Sequence, residues 1–303
     1  MTASTPAGVL PVFQTPYLLD GAIDLATLEV ELNWILDNGC DGFVMGMVSE
    51  FLRLSDAEVS TVAALACDVA ARRSAQCVIS VGAEATRVAT DRARRAEGLG
   101  ATAVMAIPPL SIALDDVEKA AYFTAILESV GVPVVVQDAS GYVGQPLSIE
   151  VQAHLAKTHR HQAVFKPEAP PIGPRVSALL VATDGAARVL EGTGGIALVD
   201  SHRRGIVGTM PGADVCWAIS ALWSALERGD AARVSAINAP LTELISLQGS
   251  LDSFLAVEKY LLKKQGIFVN TIVRGPVSFR LDDALTERVD ALFAQLRGII
   301  DGL

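Results

Sequence analysis

The sequence has no excess of positive charge. Its 24 lysine and arginine residues are outnumbered by 34 aspartate and glutamate residues, which gives a formal net charge of −10 at pH 7. Basic residues form no block in the chain. Nucleic acids and anionic membrane surfaces are bound mainly through clusters of lysine and arginine, so we predict that neither is a partner.

The sequence also lacks a long hydrophobic run and a cysteine framework. No uninterrupted apolar stretch reaches the roughly 18 residues that a membrane span requires. The N-terminal stretch MTASTPAGVLPVF contains neither the basic segment nor the long apolar segment of a signal peptide. The cysteines are scattered and form no Cys-x-x-Cys pair, which predicts small buried side chains in a reduced, cytoplasmic protein. They are Cys40, Cys67, Cys77 and Cys216.

Hydrophobic residues, by contrast, are abundant. They make up 51% of the 303 residues, whereas charged residues make up 19%. A large core is therefore available. The length suits one α/β barrel of roughly 250 residues with an appendage.

Short apolar runs alternate with helical patterns along the chain. Asp24 is placed to cap the first helix, and Ser55 with Glu58 forms a capping box at the start of the second. At three junctions a glycine joins the end of a helix to an apolar strand: Gly39-Cys40, Gly100-Ala101 and Gly131-Val132. The predicted strands are residues 8–15, 41–45, 77–81, 103–107, 133–138, 163–166, 188–191 and 205–210.

Eight strands that alternate with helices, each strand apolar on both faces, predict a parallel (β/α)8 TIM barrel, an α/β fold. From Trp217 onward only helical patterns occur. We therefore predict a barrel core over residues 1–216 and a C-terminal helical extension over residues 217–303 packed on the barrel. An open doubly wound sheet is the alternative fold.

Lys166 is the main candidate for catalysis. It ends the apolar run Ala163-Val164-Phe165 and precedes Pro167, which predicts a buried strand that stops at the lysine. A desolvated amine is more readily neutral and nucleophilic, and it can then form a Schiff base with a ketone. The alternative is a lysine that extends from the strand end into water. The other five lysines lie in helical patterns, where we expect solvated side chains: Lys119, Lys157, Lys259, Lys263 and Lys264.

In a (β/α)8 barrel, catalytic side chains gather at the C-terminal ends of the strands. We therefore expect Lys166 to lie at the centre of one mouth and to form a Schiff base there. The residues expected around it are Ser49, Glu50, Gln137, Asp138, Thr209 and the glycines of residues 192–195.

These residues resemble the dihydrodipicolinate synthase / N-acetylneuraminate lyase superfamily over nearly the whole chain. Gly46-Met47-Val48-Ser49-Glu50 stands where that family has a Gly-Thr-Thr-Gly-Glu type of loop, and Lys166 stands where it has its Schiff-base lysine. Gly192, Gly194 and Thr209 are similar to its later strand ends. The resemblance implies a class I lyase that acts on a 2-oxo acid, without a cofactor, and that assembles as a homo-oligomer of two or four copies.

Departures from the family pattern bear on the substrate. The position of the family's proton-relay tyrosine is Gln137, whose amide cannot shuttle a proton. Tyr142 stands where the synthases have an arginine for a substrate carboxylate, and Met47 and Val48 replace two threonines. Lysine-biosynthetic synthase activity is therefore disfavoured. A serine before the glutamate, and Gln137-Asp138, resemble the branch of 2-keto-3-deoxy sugar acid dehydratases, such as those for L-2-keto-3-deoxyarabonate.

The expected reaction is a dehydration. Lys166 would condense with the ketone, a base would remove a C3 proton, and the C4 hydroxyl would leave as water. Glu168 and Asp138, or a water held by Ser49, are the candidates for the acid or base. We expect Gln137 to orient the substrate. We expect Ser49, Val48, Met47, Gly192, Gly194, Thr209 and Tyr142 to bind it, although Ser49 has the alternative of starting the turn and Tyr142 that of a packed aromatic.

Three alternatives remain at this stage. An aldolase would use the same iminium and break or form the C3–C4 bond with pyruvate. The second alternative is a barrel that binds a 2-oxo acid without converting it. The retained Lys166 argues against it, because a binding protein gains little from a buried amine. Gly192-Thr193-Gly194-Gly195-Ile196-Ala197 fits the Gly-x-Gly-x-x-Ala dinucleotide pattern, but it falls in the seventh unit instead of the first. His159-Arg160-His161 lacks a third ligand at metal spacing, so we predict no metal.

Overall fold

The chain folds into a (β/α)8 TIM barrel with additional helices at its C-terminal end. The computed structural model describes residues 5–140 and 146–302, and Tyr142 therefore lies outside the described residues. Within these ranges eight parallel strands alternate with helices, as predicted. The strands are β1 (Gly8–Val9), β2 (Gly42–Met45), β3 (Gln76–Ser80), β4 (Ala103–Ala106), β5 (Val134–Gln137), β6 (Ala163–Lys166), β7 (Arg188–Glu191) and β8 (Gly208–Thr209).

Most of the helices begin directly after a residue whose side chain caps their N-terminus. The Asp24 carboxylate accepts a hydrogen bond from the Thr27 backbone N–H, and Ser55 and Glu58 form the predicted capping box. The helices are α1 (Leu25–Asp37), α2 (Asp56–Arg73), α3 (Thr86–Gly98), α4 (Asp116–Ser129), α5 (Ile149–Thr158), α6 (Ile172–Ala182), α7 (Leu198–Arg203), α8 (Cys216–Glu227), α9 (Ala231–Ser246), α10 (Leu251–Lys264) and α11 (Asp283–Asp301).

The sheet closes on itself. The strand order is β1-β8-β7-β6-β5-β4-β3-β2, and all neighbouring pairs are parallel. Beyond the end of β1, the Val44 N–H donates to Pro11 O at 2.8 Å and the Phe13 N–H donates to Val44 O at 3.1 Å. This contact joins the segment after β1 to β2, so the alternative of an open sheet is wrong.

Two predicted strands are shorter than their apolar runs. The runs over residues 8–15 and 205–210 contain only the two-residue strands β1 and β8. The residues after Val9 still contact both neighbouring strands through isolated bridges of Val12 to Val44 and to Gly212. Proline at position 11 has no N–H to donate, so regular ladder pairing ends before it.

The core lies inside the barrel and between the strands and the helices. β2, β4, β5 and β6 are buried at every position, as expected for parallel strands covered on both faces. The four cysteines are buried and free. Burial of the cysteines was predicted.

The C-terminal helices pack on one another and on the barrel. α8 contacts β1 and α9, and α11 contacts α9 and α8. The proposed division at residues 216 and 217 coincides with the start of α8, which follows β8 as the eighth helix of the ring. The division into a core and an extension remains a proposal. No helix in residues 5–140 or 146–302 is long and apolar enough to cross a membrane.

Candidate active site

Lys166 and Gln137 lie side by side at the C-terminal mouth of the barrel. They are the last residues of β6 and β5, and the parallel register pairs them directly. Side chains at paired positions of neighbouring strands point to the same face, so both line one cleft. Lys166 is only 5% exposed. The prediction of a buried strand that ends at Lys166 is confirmed.

Glu168 completes a hydrogen-bonded group with these two residues. Its Oε1 lies 2.8 Å from Lys166 Nζ and accepts a hydrogen bond of 2.7 Å from Gln137 Nε2. Oε2 of the same carboxyl is buried and has no partner among the described residues. Burial raises the pKa of Glu168, and the neighbouring Lys166 opposes this shift. A carboxyl that is paired on one side and free on the other can accept a proton from the amine or from a substrate.

Asp138 holds the backbone of Glu168 in place through a hydrogen bond. Its Oδ1 accepts hydrogen bonds from the Glu168 backbone N–H at 3.0 Å and from Ser140. Asp138 thereby fixes the chain direction after Pro167. Neither Asp138 nor Glu168 is among the residues that line the cleft, but Glu168 contacts Lys166 and lines an adjoining pocket that shares Gly192 with the cleft. This pocket has a volume of about 450 Å³, including its open mouth. Of the two acid or base candidates, Glu168 is therefore the one that contacts the lysine.

Gly192 leaves the space that the lysine occupies. A Cβ atom at position 192 would lie 2.9 Å from Lys166 Cε and 3.0 Å from Glu168 Cγ, closer than such atoms approach in proteins. Gly192 and Gly194 both line the cleft, as expected. In the same loop, Glu191 accepts hydrogen bonds from Thr193 and from Thr209 Oγ1. Thr209 thus fixes the base of the glycine loop and is not among the residues that line the cleft.

The loop after β2 forms an apolar wall with backbone donors. Met47 and Val48 line the cleft, and Met47 packs against Ile107 and Ala139. Among the described residues, no acceptor is found for the backbone N–H of Met47 or Val48. Ser49 Oγ instead donates to Phe13 O at 2.5 Å and accepts from the Gly46 N–H at 3.0 Å. These contacts match the alternative in which Ser49 starts the turn.

Lys259 was predicted to be solvated, and this prediction is wrong. Its side chain is 0% exposed and pairs with Glu50, which lies in the left-handed region at φ 58°. Lys259 Nζ also donates to the carbonyl oxygens of Thr15 and Ile272 at 2.7 Å each. Lys119 is buried as well.

The sequence contained a signal for the burial of Lys259. It falls on the same helix face as Leu255 and Leu262, at the spacing of an apolar stripe. Because Lys259 has polar neighbours in the chain, the sequence analysis did not assign it to the buried face of the helix. Glu50 anchors the loop after β2, since its carboxylate pairs with Lys259 and accepts a hydrogen bond from the Arg274 backbone N–H.

Glu258 and Gln14 are two further cleft or near-cleft residues that the sequence analysis missed. Glu258 lines the cleft beside Gly212, and its Oε2 accepts a hydrogen bond from Gln14 Nε2. Both side chains are buried. No local sequence pattern identifies them, because they come from opposite ends of the chain.

The cleft has a volume of about 400 Å³, including its open mouth. Its walls come from the ends of β5, β6 and β7, the segments after β1, β2 and β8, and helix α10. Within the described ranges, no three His, Cys, Asp or Glu side chains are arranged to hold a metal ion. The arrangement suits covalent catalysis by an amine with a carboxyl group beside it.

Comparisons with known proteins give a consistent picture. The Dihydrodipicolinate synthetase family model matches residues 5–295. An L-2-keto-3-deoxyarabonate dehydratase of Azospirillum brasilense is 28% identical over 218 residues, which cover 70% of this chain and 70% of that protein. A 4-hydroxy-tetrahydrodipicolinate synthase of Acidothermus cellulolyticus is 27% identical over 285 residues, which cover 94% and 89%. The crystal structure of dihydrodipicolinate synthase from Rhodopseudomonas palustris superimposes with a TM-score of 0.86 at 27% identity, covering 96% of this chain and 98% of that one.

Proposed function

Because the chain belongs to the dihydrodipicolinate synthetase family, we propose that it is a lyase that forms a Schiff base through Lys166 and dehydrates a 2-keto-3-deoxy sugar acid. The observation that carries this proposal is the Lys166–Glu168–Gln137 group at the mouth of the barrel. An assembly of two or four copies and a cytoplasmic location remain predictions.

Glu168 prepares the amine for attack. In a pair at 2.8 Å, the carboxylate accepts a proton from the lysine ammonium and leaves a neutral nucleophile. The amine adds to the C2 ketone of the substrate, and Glu168 returns the proton to the resulting carbinolamine hydroxyl. This group leaves as water and gives an iminium, so Glu168 is again a carboxylate. The positive iminium acidifies the C3 hydrogens, because the electrons left on C3 are delocalised onto nitrogen.

Glu168 is also placed to act at C3. Because Lys166 becomes the iminium nitrogen, C3 of the substrate lies two bonds from an atom that Glu168 contacts. Burial favours the neutral form of Glu168, so the carboxyl binds the C3 proton more readily than an exposed glutamate does. Gln137 Nε2 holds Oε1 of this carboxyl in position.

The backbone N–H groups of Met47 and Val48 suit the substrate carboxylate. Both residues line the cleft, and their N–H groups have no acceptor among the described residues. An anion there would satisfy both donors. The methyl and isopropyl surfaces around them exclude water from the reacting centre.

Gln137 argues for dehydration over the synthase reaction. An amide orients a substrate hydroxyl or a carboxyl group but does not relay protons. The dehydratase from A. brasilense, among the relatives found, has the activity that fits this site. Its name alone does not decide the substrate, since several other relatives are 4-hydroxy-tetrahydrodipicolinate synthases.

A product assay tests the proposal. The protein is incubated with L-2-keto-3-deoxyarabonate, and the mixture is analysed by mass spectrometry for a product that has lost one water molecule and for pyruvate. We expect loss of water without formation of pyruvate. Release of pyruvate would identify an aldolase. No turnover of any 2-keto-3-deoxy acid, with no adduct at Lys166, would favour the binding barrel.

Replacement of Glu168 by glutamine should separate binding from proton transfer. The amide keeps the size of the side chain but removes the base, so we expect dehydration to fall by roughly 10²- to 10⁴-fold. Exchange of the C3 hydrogens of pyruvate with deuterated water, followed by NMR, should fall in parallel. A Glu97→Gln variant is the matched control, because Glu97 bonds the Gly131 N–H at the opposite end of the barrel. Unchanged exchange in Glu168→Gln would remove Glu168 from the mechanism.

A further inference from the structure

A group of three buried carboxyls lies beside the cleft, apart from Lys166 and Glu168. Glu31 comes from α1, Asp214 from the segment after β8, and Glu258 from α10. All three side chains are buried. Only Glu258 lines the cleft. This group has no role in the steps assigned to Lys166 and Glu168.

Gly212 brings Glu258 and Asp214 together. A Cβ atom at position 212 would lie 2.4 Å from Glu258 Oε1 and 3.0 Å from Asp214 Oδ1, so both oxygens surround one point. Gln14 links the third carboxyl: its backbone N–H donates to Glu31 Oε1 at 2.9 Å, and its side chain donates to Glu258 Oε2.

Lys259 is the nearby cation, but its hydrogen bonds are all used elsewhere. An ammonium has three N–H donors. Those of Lys259 go to Glu50 and to the carbonyl oxygens of Thr15 and Ile272. Among residues 5–140 and 146–302, no cation forms an ion pair with any of these three carboxyls. Three such groups cannot all be ionised, because like charges in a desolvated site repel strongly. At least one of the three is therefore neutral.

Glu258 is well placed to be the neutral member. Burial and the charge of Asp214 raise the pKa of Glu258 well above its ordinary value, and Glu31 adds to this shift while Gln14 and Lys259 oppose it. Oε2 of Glu258 accepts the hydrogen bond from Gln14, which leaves Oε1 as the oxygen available to carry the proton of a neutral carboxyl. Oε1 is the oxygen beside Gly212, another residue of the cleft wall.

We propose that Glu258 is a second catalytic residue, which donates its proton to the C4 hydroxyl of the substrate as that group leaves. This inference rests on the proposed dehydration. Glu168 takes the C3 proton, and the electron pair of the C3–H bond is first delocalised onto the iminium nitrogen as an enamine. The same electron pair then forms the C3=C4 double bond. The C4–O bond breaks, and its oxygen receives the Glu258 proton and departs as water. Glu258 is left as a carboxylate and regains a proton from solvent before the next turnover.

The dehydration assigns one proton transfer to Glu168, beside Lys166, and the other to Glu258, on the wall formed by α10. A hydroxide ion is a poor leaving group, so the departing oxygen needs an acid within hydrogen-bond reach. At that moment Glu168 carries the proton that it removed from C3. It also lies beside Lys166, on the side of the substrate that the lysine binds. A separate acid on the wall formed by α10 and the segment after β8 supplies the second proton without waiting for the first.

The test compares a poor leaving group with a good one. The Glu258→Gln variant is assayed with L-2-keto-3-deoxyarabonate and with a 2-oxo acid of the same length that has fluorine at C4. Fluoride leaves without protonation, so its release does not need the acid. We expect water elimination to fall by roughly 10²- to 10⁴-fold and fluoride release, followed with a fluoride electrode, to stay within a few-fold of the original protein.

Two further measurements distinguish a role of Glu258 in proton donation from damage to the fold and from failure of the proposed dehydration. Borohydride trapping of pyruvate by Glu258→Gln should match that of the original protein, which shows that the fold and Lys166 are intact. Glu168→Gln should lose both eliminations, and Glu97→Gln should lose neither. An equal loss of water and fluoride elimination in Glu258→Gln, or no loss of either, would overturn the role of Glu258. If the original protein releases neither water nor fluoride, the proposed dehydration itself fails.

Discussion

The Lys166→Arg variant should form no adduct with pyruvate and should lose dehydration by roughly 10⁴-fold or more. A guanidinium stays protonated in proteins, so it has no lone pair to attack a ketone, although it keeps the positive charge beside Glu168. The measurement is borohydride reduction in the presence of pyruvate, followed by mass spectrometry of the peptide that contains residue 166. The original protein should gain the mass of one reduced adduct on that peptide.

Lys157→Arg is the matched control for this experiment. Lys157 is an exposed residue of α5, the helix that precedes β6. Its replacement by arginine also changes an amine to a guanidinium, but away from the cleft. We expect trapping and turnover to remain at the level of the original protein. An adduct on another lysine in Lys166→Arg, or retained turnover, would refute the assignment of Lys166 as the nucleophile.

The Lys259→Met variant should lose about 3–5 kcal/mol of unfolding free energy, the usual cost of leaving one member of a buried ion pair alone. Methionine fills much of the space of the lysine stem but provides no N–H group. Glu50 would then lose the ammonium that bonds its Oε1 and keep the more distant Arg53, whose Nη1 lies 3.7 Å from Oε2. The carbonyl oxygens of Thr15 and Ile272 would each lose a hydrogen bond. Urea unfolding followed by circular dichroism measures the loss.

A second lysine on the same helix gives the control. Lys264 pairs with Asp290 at 3.0 Å, and both side chains are more than one third exposed. Lys264→Met should cost no more than about 1 kcal/mol, because water screens exposed pairs. The double variant Glu50→Gln with Lys259→Met should recover part of the stability that Lys259→Met loses, since it leaves no unpaired buried charge. Equal losses in Lys259→Met and Lys264→Met would contradict the importance of the buried pair.

Local patterns in the sequence were enough to predict the repeating units. Asp24 and Ser55 cap helices because side-chain oxygens satisfy nearby backbone N–H groups, which depends only on residues three positions away. The strand ending at Lys166 was predicted for a similar reason, since a proline follows it and cannot continue the ladder. The strand ends then placed Lys166, Gln137 and the glycine loop at one mouth.

Contacts between distant segments escaped the same reasoning. Lys259 was expected in water because it lies in a helical pattern with polar neighbours, yet its partner Glu50 lies 209 residues away. Ser49 and Thr209 were expected at the substrate, and the structure shows their hydroxyls bonded to Phe13 O and Glu191. A hydroxyl group can bind either a substrate or its own backbone, and only the folded geometry decides between these.

The sequence by itself determined the barrel, the order of its units and the lysine at the end of β6, because hydrophobic periodicity, caps and prolines act over a few residues. Only the tertiary structure decided which polar groups meet: Glu168 with Lys166 and Gln137, and Glu258 with Gln14 and Gly212. The physical reason is that the protonation and reactivity of these groups depend on burial and on neighbours from other elements, which come together when the sheet closes.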